Sequence, residues 1–596
     1  MHHLRRRLPD LRDALAITII VAVCIILIVS TARAQEVTVA NHWHTASTGW
    51  HRTTVDVRPP HAAGTLPDGT RYVVGRQTGR DVWAVDLHLE LEPREVRTLN
   101  LATGTASAPP AVAPPEDIFG HFGGWAAVNG VPLGIVSGQV DGAAVAVHLR
   151  GRIGRTFVVD AWLDWRPDEP WLVTGEALLT SSNPAVPDVL ETVPAGGYAL
   201  TFGDGLAWGN VLAPAGDTFA DGQARAVPVA FAWPRHAPSY NAWFLTVPQA
   251  VYRCVCLVGV RELWAGQGNP RVLPGLNPGA WSGVRYPVAL SRIGTWEAAV
   301  TGPNMNSADS GAQGDQVFVA GECMLQPGSE QVAYLSALKL AARPNHLRRP
   351  DGSPMDPAEV ANVQFWHGRP HGPSTHNLLG KSRGIEAVDA HGWWGPDTEH
   401  WLANGLAVAA RVTGSRALQA ELSQQARLFL MSQVLPGPGH ENWVTSGTDA
   451  ARAIGWVNIL AVHLDANLED RALAARVRQR AIDRMTAVYI PQLTARGDYW
   501  DVRRDDPRLG TGDWWIPWQQ SVGAYGLDLA GERFGVPEAR IVALRGARAV
   551  LADAWKLQDD RWLSQPQRPT DKTRDTLRDE SFIYFGMSMA VASILR

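Results

Sequence analysis

The densest group of chemically capable side chains runs Asp389-Ala390-His391-Gly392-Trp393-Trp394-Gly395-Pro396-Asp397-Thr398-Glu399-His400-Trp401. It holds two histidines, three carboxylates and three tryptophans. Imidazoles take up and release protons near neutral pH, and carboxylates serve as bases or nucleophiles. Flat indole faces with one polar edge suit stacking on sugar rings. Asp397, directly after Pro396, also suits a helix cap, and Glu399 suits the first turn, where negative charge complements the dipole. Capping explains those two as well as catalysis does. His391, in a Gly-flanked loop, has no such structural role and is the leading candidate for proton transfer.

The aromatic element recurs. Trp393-Trp394-Gly395-Pro396 with Gly405-Leu406 is matched by Trp514-Trp515-Ile516-Pro517 with Gly526-Leu527, and Asp513 precedes the second copy. Between the two lie His440-Glu441-Asn442-Trp443, then Arg452 and Trp456, four apart and so on one face of a helix, and Asp498-Tyr499-Trp500-Asp501. If the helices behind these loops start at one rim, His391, Asp397, His400, Asn442, Arg452, Tyr499 and Asp513 share a cleft. Trp393, Trp394, Trp443, Trp456, Trp514, Trp515 and Trp518 then line it for substrate.

The elements that must position these groups fall into two textures. From Val37 to about Leu340 the chain reads as strand and turn. Val82–Leu91, Thr156–Trp165 and Trp171–Leu179 alternate with period two, as half-buried strands do, and Trp83, Trp162 and Trp165 are assigned to core. The Pro-rich run Ala108–Pro115 divides a small β domain, 36–107, from a β-sandwich, 116–342. Beyond Arg343-Pro344 seven helical segments are expected near 397–412, 415–434, 448–464, 468–489, 514–534, 537–556 and 578–595. Ser415, Thr448 or Asp449, and Pro537 mark starts, and Gly414 and Gly535 mark stops. The second, fourth and sixth are amphipathic. The others are Ala/Gly/Leu-rich with little charge in their middles, hence buried on most sides; Trp401 and Trp555 at helical positions read as core. Alternation of buried and amphipathic helices predicts an (α/α) toroid over 345–596, and the long aromatic loops argue against a plain bundle. The expected fold is therefore α+β and multidomain.

Composition bounds the function. The chain has 596 residues, 45% hydrophobic and 19% charged, so it is globular and too long for a single core. Its 25 tryptophans exceed its 13 phenylalanines and 10 tyrosines, which fits an aromatic ligand surface in addition to a core. A formal net charge of −4 gives no basic footprint for nucleic acid. Arg5, Arg6, Arg7 and Arg12, then the apolar run Ala14–Val29, then Ala32-Arg33-Ala34 read as a signal peptide over 1–34, or else a membrane anchor. That segment holds five arginines against Asp10 and Asp13, so removing it leaves −7. The expected location is periplasmic or extracellular, with any membrane contact confined to such an anchor. There Cys323 could bond to Cys254 or Cys256, which are too close together along a strand to join each other easily.

With a signal peptide, a small barrel-like β domain, a β-sandwich and a C-terminal toroid, the chain resembles secreted polysaccharide lyases, especially the exo-rhamnogalacturonan lyase-like group. Leu66-Pro67-Asp68-Gly69-Thr70 leading to Asp81-Val82-Trp83-Ala84-Val85, and then Glu95–Leu101, resembles the N-terminal domain of that group. Arg452-Ala453-Ile454-Gly455-Trp456 and Leu406–Gly414 resemble inner-helix phrases of toroid enzymes acting on glycans. The resemblance implies a polysaccharide or oligosaccharide partner and no cofactor. A uronate lyase needs a cation or amide to neutralise the carboxylate, for which Arg452 or Asn442 is suited. It also needs a base for the C5 proton and an acid for the leaving oxygen, open to His391, His400 or Tyr499. A glycoside hydrolase needs two opposed carboxylates, such as Asp397 or Glu399 against Asp513 or Asp501. A non-catalytic glycan-binding protein on the same fold needs only the tryptophans.

Other patterns carry less. His367, His371 and His376 sit in a Gly/Pro loop without helical register or a zinc signature, so no metal is assigned. Gly380-Lys381-Ser382-Arg383-Gly384 satisfies Gly-x-Ser-x-Gly and ends like a phosphate-binding loop. No apolar strand enters it, however, and Thr375 stands where the first glycine of such a loop belongs.

Overall fold

The computed structural model describes residues 36–40, 47–109, 125–182, 191–233, 257–258, 346–354, 406–435, 450–491, 503–504, 513–553, 555–558, 561–564 and 568–569, with gaps of one or two residues in some of these ranges. The export segment, most of the Pro-rich run, the three later cysteines, the histidine loop and the helical segments expected before 406 and after 578 lie outside the described residues. Among the described residues no helix is long and apolar enough to cross a membrane.

The N-terminal half is built of antiparallel sheets. One has five strands in the order Ser47–Val55, Val82–Leu91, Arg71–Gly79, Ala63–Thr65, Thr105–Ala106. A second has six, in the order Gly134–Asp141, Ala144–Ile153, Phe157–Trp165, Leu172–Ser181, Ala224–Ala232, Leu206–Trp208. Register explains why the six-stranded sheet has two different faces. Leu149 pairs with Ala161, Ala161 with Ala177 and Ala177 with Val227, so odd-numbered residues line up across four strands. That face, with Val145, Val147, Phe157, Val159, Leu163, Val173, Leu179, Val229 and Phe231, packs on Ala126, Val128, Leu200, Phe202 and Ala213 of a four-stranded sheet to form one core. Two sheets closing on an apolar interior is what period-two patterning dictates.

The even-numbered face is polar, carrying His148, Arg150, Asp160, Trp162, Asp164 and Glu176, and it receives the helices. Trp162 is half-buried and stacks on His148 at 5.0 Å. Trp83 and Trp165 are half-buried too, so none of the three tryptophans assigned to core lies fully inside. The large, fully buried aromatics are instead Trp50, Tyr72, Phe202, Phe219, Trp233 and Tyr525. Val82–Leu91 also departs from the half-buried expectation. Ala84, Val85, Asp86 and Leu87 are all buried, because a second layer covers the polar face of the strand.

Five helices are described in the C-terminal region: α1 Arg416–Ser432, α2 Ala450–Asn467, α3 Arg471–Arg484, α4 Pro517–Phe534 and α5 Pro537–Asp553. Ser415 caps α1 by accepting from the Leu418 N–H, as expected from its hydroxyl. Gly535 ends α4 at φ +74°, a backbone conformation that favours glycine. The α2 and α4 helices are buried almost all round, whereas α3 and α5 alternate buried and exposed positions.

Contacts fix the helix directions. Ala451 meets Gly523, and Gly455 meets Val522 and Gly526, so α2 and α4 run parallel. Gln520 reaches Gly546 and Asp528 meets Arg540, so α5 runs back along α4. The α3 helix turns back from α2 through residues 468–470. Gln419 of α1 bonds the backbone of Asn467 and Glu469 beside the start of α3, and Arg480 of α3 bonds Leu430 and Gln433 at the end of α1. Hence α1 runs with α3. The result is a buried layer of α2 and α4 pointing one way, with α1, α3 and α5 pointing the other.

Two corrections concern element boundaries. Trp514 and Trp515 lie in a short strand, Asp513–Trp515, and helix α4 begins only at Pro517. Trp555 opens the strand Trp555–Gln558, which pairs with Arg561–Ser564, and so is not helical.

Candidate functional site

The helical layer is held at one end by a buried ionic junction. Arg52, on Ser47–Val55, donates to Asp86 through Nε (2.9 Å) and Nη2 (3.0 Å), and to Asp141 through Nη1 (2.7 Å). Arg76 pairs with Asp141 as well and reaches Glu469 at 3.1 Å, and Arg416 of α1 reaches Asp141 at 2.9 Å. Burial by itself would raise the Asp141 carboxyl. The cations Arg52, Arg76 and Arg416 overcome that and hold it well below the usual carboxylate range. One carboxylate thereby joins the small sheet, the sandwich and α1.

Glu176, on the even face of the sandwich, accepts from Ser415 Oγ and from the backbone N–H groups of Arg416 and Ala417, both at 2.9 Å. A carboxylate from one unit caps a helix of another, matching the positive end of the dipole. The C-terminal end of α2 docks on the turn between the strands Arg71–Gly79 and Val82–Leu91, where the Arg80 N–H donates to Ala466 O at 2.8 Å.

The opposite, N-terminal ends of α2 and α4 are the candidate rim. Because the two helices are parallel, they begin at the same end. Arg452 lies in the first turn of α2 and Trp456 one turn on; Trp518 is in the first turn of α4. Trp456 is 7% exposed, hence mostly enclosed within the helical layer. Leading into α4, Asp513, Trp514 and Trp515 form the middle strand of a three-stranded sheet. Trp514 sits opposite Arg503 and Pro569, Asp513 opposite Arg504 and Trp515 opposite Arg568. The structure thus brings Arg452, Trp456, Asp513, Trp514, Trp515 and Trp518 to one end of the helical layer. His391, Trp393, Trp394, Asp397, His400, Asn442, Trp443 and Tyr499 lie outside the described residues.

Sequence reasoning did not single out Arg503, Arg504 and Arg568. The signal available was a pair of arginines two residues after the candidate group Tyr499-Trp500-Asp501. It also missed the junction, since Arg52, Asp86, Asp141 and Arg416 are far apart along the chain. Among the described residues no group of three or more His, Cys, Asp or Glu is arranged to hold a metal ion.

No family model matches this chain, and no curated protein matches it either.

Proposed function

We propose that this is an exported glycan-active protein that cleaves a uronate-containing polysaccharide by β-elimination, in a cleft at the N-terminal ends of α2 and α4. One observation carries the reading: α2 and α4 are parallel, in direct backbone contact, and begin at one rim that gathers Arg452 with the Trp514-Trp515 strand. In this reading α2 and α4 belong to the inner ring of an (α/α) toroid and α1, α3 and α5 to its outer ring.

Elimination removes the C5 proton, breaks the C4–O bond and leaves a C4–C5 double bond. The C5 proton becomes acidic only when the adjacent carboxylate is neutralised, which is the role given to Arg452 or Asn442. His391, His400 or Tyr499 then serves as base and as acid for the leaving oxygen. Indole faces at the rim suit the sugar rings, and arginines in register with them suit an acidic chain.

Incubating the protein with uronate-containing polysaccharides tests this. The ultraviolet absorbance of an unsaturated product is expected to rise with the appearance of new reducing ends. Reducing ends without that absorbance would replace elimination by hydrolysis. Binding with no new ends would make the protein a glycan receptor.

A further inference from the structure

A second charged centre lies at the same end of the helical layer as the ionic junction, opposite the rim. Asp465, in the last turn of α2, is completely buried, and four arginines surround it. Arg478 donates through Nε and Nη2 at 3.1 Å, Arg80 stands at 3.3 Å, Arg471 at 3.7 Å and Arg533 at 4.0 Å. They come from three places: the turn before Val82–Leu91 (Arg80), α3 (Arg471 and Arg478) and the last turn of α4 (Arg533). All four are partly open to solvent, with side-chain exposures of 26, 33, 36 and 41% for Arg80, Arg471, Arg478 and Arg533.

One carboxylate cannot satisfy four guanidinium groups. It neutralises one charge and offers about four lone-pair sites, against five N–H donors on each arginine. Neighbouring acids are partly committed elsewhere: Glu469 pairs with Arg76, and Asp470 caps α3 by accepting from the Leu473 N–H. Asp81, at the tip of the turn, also acts on Arg80 and Arg471. The C-terminal ends of α2 and α4 each contribute about half a negative charge, and the start of α3 returns about half a positive one. Positive charge remains in excess, on forked donors that face water and are held around one point by a buried anchor.

We infer that Arg80, Arg471, Arg478 and Arg533 form an oxyanion-binding site, seated on Asp465, for a sulfate, phosphate or carboxylate group. Guanidinium forks match the paired oxygens of such groups and bind them through charge-assisted hydrogen bonds. Buried Asp465 holds the forks in place without consuming all their donors. The site lies about 20 Å along α2 from Arg452, since thirteen residues of helix separate the two at 1.5 Å each. It does not rest on the glycan reading of the rim.

The test is thermal unfolding of the full chain in inorganic sulfate, against chloride at matched ionic strength. A saturable rise in Tm specific to sulfate is expected, because a ligand that binds only the folded state stabilises it by mass action. Arg533→Gln, the most exposed and most distant of the four, should leave the far-ultraviolet spectrum unchanged and weaken sulfate by roughly tenfold. Arg478→Gln should abolish the saturable shift. Adding a uronate oligomer, with a neutral oligomer of equal length as control, separates the sources. Displacement of sulfate by the acidic oligomer alone assigns the site to an acidic glycan, and no displacement assigns it to a free inorganic anion. A sulfate shift equal to that of chloride, or one retained in full by both variants, overturns the proposal.

Discussion

Gly455 and Gly526 put two helix backbones in direct contact. A Cβ added to Gly526 would lie 2.2 Å from the Gly455 carbonyl oxygen, and one added to Gly455 would lie 2.3 Å from that of Val522. Backbone atoms cannot step aside as a flexible side chain can, so this contact sets both the separation and the register of α2 and α4. It also sets which residues share the rim, because sliding one helix by a turn would part Arg452 from the Trp514-Trp515 strand by about 5 Å.

Gly526→Ala is therefore expected to destabilise the protein by about 3 kcal/mol, at the upper end of what overpacking usually costs. Gly535→Ala is the control. Gly535 has φ +74° with open space where a Cβ would go, so it should lose only about 1 kcal/mol, from backbone strain. Denaturant unfolding of the two variants checks the ranking. Equal losses would mean that the helices separate easily and that the rim is not fixed by this contact.

Asp141→Asn should be more damaging than any surface change. It leaves Arg52, Arg76 and Arg416 facing one another in a buried site with Asp86, Asp164 and the half-exposed Glu469 to balance them. Removing one partner of a buried ionic cluster costs about 3–5 kcal/mol, and the loss should appear as a fall in denaturant midpoint. Because the junction joins three units, limited proteolysis should also release a helical fragment earlier from the variant than from the parent chain.

Much of this fold is legible in the sequence, and the exceptions have physical reasons. The odd-numbered apolar residues of Phe157–Trp165 and Leu172–Ser181 announce the sandwich core, and Ser415 and Pro537 announce helix starts. The expected start at Trp514 fails because Ile516 precedes a proline. That residue is biased away from helical geometry, whereas Pro517 itself suits the first helical position. Trp555 fails because the chain beyond Asp553 finds a strand partner in Arg561–Ser564, which outweighs local helix preference. The burial of Asp86 and Asp141 could not be read at all, because their partners are separated from them by 34 to 275 residues. Of the candidate site, the sequence identifies residue types and the parallel helices supply a common end. The arginines opposite the tryptophans appear only through strand register.

Two buried groups should shape the acid side of the stability profile. Burial would raise Asp160, but Arg348, a hydrogen bond from His148, and Arg150 hold it down at about 2 against an ordinary 3.8. Its contribution is complete above about pH 4 and is lost as pH falls towards 2. His463 is 1% exposed, and neither of its ring nitrogens has a hydrogen-bond partner among the described residues. Burial, with Arg411 nearby, pushes it down to about 4 from 6.5. Between those values the unfolded chain takes up a proton that the folded chain refuses, so stability falls as pH drops from 6.5 to 4. The fall attributable to His463 is about 3 kcal/mol at 1.36 kcal/mol per unit. His463→Leu should flatten that limb and leave stability at pH 7 unchanged or higher, since no hydrogen bond is lost. An unchanged slope in equilibrium unfolding between pH 6.5 and 4 would assign the acid sensitivity to other groups.

The rim is where chemistry and binding should separate. His391→Ala is expected to lower kcat on a uronate polysaccharide by about 100-fold or more, the usual contribution of a positioned acid or base, with folding and KM nearly unchanged. Trp514→Ala with Trp515→Ala should do the reverse. Stacking on a sugar ring is present in the ground state as well as the transition state, so its loss raises KM several-fold while kcat changes little. Arg452→Lys retains a charge but loses the planar fork that pairs with a carboxylate in two places, and it should lower kcat/KM on a uronate polysaccharide by about tenfold. Full turnover by His391→Ala would remove that residue from the site. If the double tryptophan variant kept its KM, the strand entering α4 would be a structural brace, and the glycan would have to lie elsewhere on the helical layer.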